Sequence, residues 1–205
     1  MEGFLFYWLS WIGWVIATFF MPKTSQRWKV TCIILANMML ATTPIKVASF
    51  QFSCTYLFLF IIACMYIALF TRLQQLYYLV VSLIIMFAYV SFCLLELYDP
   101  VWIFLDRQWL IVCMILYIIF MLVKDASARF VVSIMGLLAG DFLYGMIISR
   151  IPFPYYIGAL SLLDILALII GALFIWELFI HISAYIDLTL LKSQRQKQGP
   201  IKQNN

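Results

Sequence analysis

Charge is the scarcest feature of this chain. Only 11% of its 205 residues are Asp, Glu, Lys or Arg, less than half the share usual in a soluble domain. Histidine occurs once, as His181, which excludes bis-histidine haem ligation and the HExxH zinc motif. No lysine lies in the body of an apolar run, so a retinal-type Schiff base has no candidate. Neither a GxSxG nucleophile elbow nor a phosphate-binding P-loop occurs. The five cysteines, Cys32, Cys54, Cys64, Cys93 and Cys113, form no CxxC pair and lie singly in apolar runs. That spacing argues against a disulfide framework or a zinc site and reads as small buried apolar residues. No cofactor and no metal are implied.

What fills the chain is apolar: 66% of the residues are hydrophobic and mean hydropathy is +1.05. Apolar runs cover about residues 3–21, 29–48, 50–70, 75–95, 108–123, 130–149 and 155–183. Most approach the roughly 20 residues needed to cross a bilayer. In lipid each backbone N–H and C=O needs a partner within the protein, and a helix supplies its own. The expectation is therefore an all-α fold, a single polytopic transmembrane bundle of about seven spans over residues 1–191. Residues 192–205, "KSQRQKQGPIKQNN", are expected to be a basic, disordered cytoplasmic tail beside anionic headgroups.

The basic residues set an orientation. With the N-terminus outside, Lys23, Arg27, Lys29, Arg72, Lys124, Arg129, Lys192, Arg195, Lys197 and Lys202 all fall inside, leaving Lys46, Arg107 and Arg150 outside. This is the positive-inside bias of an N-out, C-in protein. Glu2, Glu96, Asp99 and Asp106 fall outside as well. Charge gathered at the ends of apolar runs describes membrane topology, and not a nucleic-acid surface. The second run, with Asn37, Thr42, Thr43 and Pro44, is the most polar and is expected to face other helices. "VWIFL" (Val101 to Leu105) is expected to be an interfacial turn before a short fifth span, although it could also extend that span. The first run lacks a basic leader and a small-residue cleavage pattern, so it reads as an uncleaved first helix. Its Trp8, Trp11 and Trp14 suggest an aromatic packing seam, with the Trp14 indole N–H in need of a partner.

Four ionisable residues interrupt the last two runs: Asp141, Asp164, Glu177 and His181. Ionisable groups inside a membrane are expensive and normally face a partner or a cavity. Asp141 and Asp164 flank the short outer loop "RIPFP" (Arg150 to Pro154), each roughly 12–15 Å deep at about 1.5 Å per residue. A short connection makes antiparallel neighbours, so the two carboxylates form a candidate intramembrane polar site. They either share a proton, as in a relay or cation site, or serve as structural hydrogen-bonding groups. Ser133, Gly136 and Gly140 form a small face that supports close approach there, as do Ser161, Ala167 and Gly171 on the seventh run. Glu177 and His181, four apart, form a candidate inner-face pair joined by a charge-assisted hydrogen bond. An aspartyl protease built on Asp141 and Asp164 is formally conceivable, but "AGDFL" and "LLDIL" do not carry the signature of that class.

The opening "MEGFLFYWLSWIGWVIATFFMPKTSQR" has an acidic start, "FYW", repeated Trp, "TFFM" and a basic loop. In these residues, and in its layout of about 200 residues with buried acids and a basic end, the chain resembles the YphA family of small multi-spanning membrane proteins of bacilli. The resemblance implies a multi-pass location in the bacterial cytoplasmic membrane and brings no catalytic residues with it.

Two functional classes stay open. The first is a non-enzymatic protein that acts on partners in the membrane, namely bilayer lipid, another membrane protein or a second copy of itself. The second is a small transporter or proton-linked carrier centred on Asp141 and Asp164.

Overall fold

The computed structural model describes residues 2–47, 50–99, 106–149 and 155–197. It divides into a compact unit, Met1–Ile170, and a second unit, Gly171–Asn205. Seven helices follow in chain order: α1 (Phe4–Phe19), α2 (Ser25–Leu40), α3 (Cys54–Ile67), α4 (Arg72–Tyr98), α5 (Arg107–Leu122), α6 (Ala126–Ile148) and α7 (Leu160–Lys197). The all-α expectation holds for the body of the chain. Among the described residues three helices are long and apolar enough to cross a bilayer: α4, α6 and the Leu160–Ile186 part of α7. The shorter apolar helices are α1, α3 and α5.

A small sheet interrupts the helices. β1 (Pro44–Val47) and β2 (Phe50–Ser53) form an antiparallel hairpin, with Ile45 opposite Phe52 and Lys46 opposite Gln51. β3 (Tyr156–Ile157) pairs with β2 in parallel, placing Gln51 beside Tyr156 and Phe52 beside Ile157. The local cause is Pro44, which has no N–H to continue α2 and drives Thr43 away from helical backbone. The second and third apolar runs are therefore broken by a hairpin rather than by a bare loop. The seventh run likewise opens as strand and turn over residues 155–159, so α7 starts at Leu160 and not at residue 155.

The core centres on α4 and α6. Val81, Ile85, Tyr89 and Cys93 recur every four residues along α4 and are all buried. They meet the small face of α6. A methyl group on Gly136 would sit 2.6 Å from Ile85 Cγ2, and one on Gly140 would sit 2.9 Å from Tyr89 Cδ1. The small face thus admits α4, not α7 as its position beside the α6–α7 connection suggested. Both registers increase together, so α4 and α6 run parallel, and α5 must carry the chain back between them. Its buried seam is Ile111, Val112, Ile115 and Ile119. α3 adds Thr55, Tyr56, Leu59 and Ala63, also on one face.

α2, in the most polar run, packs on α1 and α3 with a half-exposed surface and no fully buried residue of its own. α7 continues to Lys197, so residues 192–197 are helical where a disordered tail was expected. Residues 198–205, the "RIPFP" loop and "VWIFL" lie outside the described residues. Asp106 stands at the N-cap position of α5 without a side-chain cap bond, and Arg107 is the first residue of the helix.

Candidate intramembrane polar site

Asp141 and Asp164 are each 1% exposed, so bulk solvent does not reach either carboxylate and protein donors must serve them. Asp141 is fixed two turns before the end of α6. Its Oδ1 accepts the Tyr155 hydroxyl at 2.6 Å and its Oδ2 accepts the Gly158 N–H at 2.7 Å. Both donors belong to the strand-and-turn segment that leads into α7. Gly158 has φ +78°, and a Cβ there would meet Tyr56 Cβ at 2.7 Å. Only glycine satisfies both conditions without strain. The neighbouring Tyr56 hydroxyl donates to the Leu138 carbonyl at 2.7 Å, binding α3 to α6.

Asp164 performs a different task. Residues 155–159 are not helical, so it lies only one turn into α7, roughly 6 Å from the helix start. Its Oδ2 accepts the Gly3 N–H at 2.7 Å and its Oδ1 accepts the Phe6 N–H at 2.7 Å. Those amides belong to the cap and the third residue of α1, whose own cap, Gly3, offers no side chain. Free N–H groups at a helix start need an acceptor, and the positive end of the helix dipole favours an anion there. A carboxylate from α7 thus supplies the cap that the N-terminal sequence lacks. Gly3 has φ +87° and approaches Leu160 closely enough that a Cβ would lie 3.2 Å from its Cδ1.

The two acids are therefore each engaged through both oxygens, by different partners. Among the described residues no hydrogen bond joins them, and neither lines the groove between α3 and α4 or the hollow beside residues 2–11. The inner-face residues Glu177 and His181 are four apart on α7. His181 Nδ1 lies 2.9 Å from the backbone carbonyl of Glu177, the ordinary helical acceptor four residues earlier. The described residues contain no cluster of three or more His, Cys, Asp or Glu that could hold a metal.

Sequence reasoning missed the partners. Tyr155, Gly158, Gly3 and Phe6 lie far along the chain from the acids they serve or are close to them only through a turn. One signal was available: "MEGFLF" opens an apolar helix with no Ser, Thr, Asp or Asn at its start, so its cap had to come from elsewhere. Trp14 does pack edge-to-face on Trp11, with centroids 5.7 Å apart, but its indole N–H finds no partner among the described residues. A further polar link went unanticipated. Arg107 Nε lies 3.0 Å from Glu96 Oε2 and Arg107 Nη2 donates to Cys93 Sγ at 3.6 Å, which ties the end of α4 to the start of α5.

Long apolar helices, a core packed through small residues and acids used as internal caps define an α-helical integral membrane protein. Residues 2–199 match the family described as YphA-like integral membrane protein, and the chain belongs to that family. It is 28% identical over 202 residues to "Uncharacterized protein YphA" of Bacillus subtilis (strain 168), covering 98% of this chain and 99% of that one. No solved structure matches the chain.

Proposed function

We propose that this is a non-enzymatic, multi-pass protein of the bacterial cytoplasmic membrane that acts by binding lipid or protein partners within the bilayer. In this reading it has seven spans, with the N-terminus outside and the C-terminus inside. The observation that carries it is the full engagement of Asp141 and Asp164. A carrier needs carboxylates that exchange protons or ions with a cavity, whereas these four oxygens hold helix starts and a turn in place.

The topology draws support from two features. α4 and α6 are parallel, which requires an odd number of crossings between them. Tyr77 and Tyr78, at the start of α4, donate to the Leu122 carbonyl and to Asp125 Oδ2, both at 2.6 Å, so the α5–α6 turn sits at the α4 start. That end carries Arg72, Lys124 and Arg129, while Glu96, Asp99 and Asp106 lie at the opposite one. Such a bias is the one expected of a cytoplasmic face.

The test is reconstitution of the wild type and of the Asp141→Asn and Asp164→Asn variants into liposomes with an internal pH dye. The expected result is no protein-dependent proton flux above that of empty liposomes. A flux that wild type supports and Asp141→Asn abolishes, in a variant that still folds, would restore the carrier.

A further inference from the structure

α3 and α4 both lean on α6, but apart from the turn that joins them they hardly meet each other. The result is a cavity of about 460 Å³ between them, lined among others by Cys64, Ile67, Arg72, Leu79, Ser82 and Met135. This is within the range of small-molecule sites. Its residues on α4 recur on one face of that helix, from Arg72 at the first position to Ser82 roughly 15 Å deeper. Met135 of α6 forms part of the floor.

The polarity of the cavity is graded. At the mouth stands the Arg72 guanidinium, which makes no hydrogen bond or ion pair among the described residues. It sits in the first turn of α4, where the helix dipole disfavours a cation, and that turn holds no acid. Two positive features are thus placed together with no anion to balance them. Further in, the polarity ends. The Ser82 hydroxyl is turned back onto the Tyr78 carbonyl at 2.9 Å, which leaves Cys64, Ile67, Leu79 and Met135 to line the inner part. Gln75 likewise donates to the Ala68 and Phe70 carbonyls, fixing the turn at the mouth. A soluble anion would find nothing for the apolar length, and a hydrocarbon alone would leave Arg72 unanswered.

We propose that this groove binds one anionic phospholipid, its phosphate on Arg72 and one acyl chain along Leu79 towards Met135. The proposal deepens the reading above, in which the protein acts on partners within the bilayer, by naming a lipid class and a site. The headgroup depth agrees with the start of α4, the end at which anionic lipid of the inner leaflet would meet Arg72.

The experiment is native mass spectrometry and thermal melting of the full chain in mild detergent with added phosphatidylglycerol. Phosphatidylcholine of the same acyl chains and inorganic phosphate serve as separate probes. Phosphatidylglycerol is expected to give a one-to-one adduct and a raised melting temperature, and the other two are not. Arg72→Gln should weaken the adduct about five-fold, the worth of one basic residue at a membrane surface. Leu79→Trp, at a position that is 54% exposed and so tolerant of size, should fill the groove and weaken it as well. Lys124→Gln, outside the groove, should leave it unchanged. The proposal is overturned if Lys124→Gln weakens binding as much as Arg72→Gln, which would mean general surface attraction. It is also overturned if Leu79→Trp binds like wild type, or if inorganic phosphate shifts melting as much as the lipid. None of these failures would restore proton flux through Asp141, so the two readings fail separately.

Discussion

Removing the Asp164 carboxylate should loosen α1 first and the whole protein second. The carboxylate accepts two backbone N–H groups, from Gly3 and Phe6, each at 2.7 Å and both buried. A hydrogen bond to a charged group contributes about 1.5–3 kcal/mol, and loss of an ordinary cap costs about 0.5–2 kcal/mol. Two bonds of the first kind, partly compensated by water reaching the helix end, put Asp164→Ala at about 2–4 kcal/mol. In a chain of this length that corresponds to a drop in melting temperature of about 5–15 °C. Asp164→Asn keeps one acceptor oxygen but turns an amide N–H₂ towards a backbone donor, so its loss should be about half as large. Melting in mild detergent reads the total. Hydrogen–deuterium exchange at residues 3–7 reads the local event, which should accelerate well before the amides of α4 and α6 respond. Unchanged exchange at those residues, or an Asn variant that melts at or above wild type, would refute the capping role.

Other outcomes follow from the same contacts. Asp141→Asn should also melt lower than wild type at neutral pH, by about 1–3 kcal/mol, because one of its two acceptors becomes a donor facing Tyr155 or Gly158. Tyr155→Phe should lose less, about 1 kcal/mol, since Gly158 still holds the other oxygen. Gly140→Leu should prevent α4 and α6 from approaching, because even a single methyl would lie 2.9 Å from the Tyr89 ring; overpacking of this kind costs about 1–3 kcal/mol or more, and yield of folded protein in detergent is the readout. A cysteine introduced at position 203 of a cysteine-free variant should react with an impermeant maleimide only after the cells are opened, and labelling of intact cells would contradict the C-in topology.

The helices were legible because lipid makes hydropathy decisive. An apolar run such as 75–95 or 130–149 must become helix to satisfy its own backbone, whatever its neighbours are. The breaks inside runs were harder to see. Pro44 marked the end of α2, but nothing local to residues 44–53 says that they pair with Tyr156 and Ile157, about a hundred residues further on. The acids show the same division. Their expense in the membrane singled out Asp141 and Asp164 as residues with a duty, and it left open whether they serve each other or the backbone. The GxxxG of α6 announced a close helix approach without naming α4 as the partner.

The sequence by itself therefore determined what depends on one segment and its solvent: membrane residence, the helical state of the apolar runs, the uneven placement of charge and the family. Tertiary structure alone decided what depends on which segments meet. Asp164 became the cap of α1 because the turn at Gly158 brings the start of α7 against Gly3. Asp141 became the anchor of that same turn because β3 pairs with β2 and delivers Tyr155 and Gly158 to it. A carboxylate has the same side chain in either role, and only the donors placed around it distinguish a proton site from a structural one.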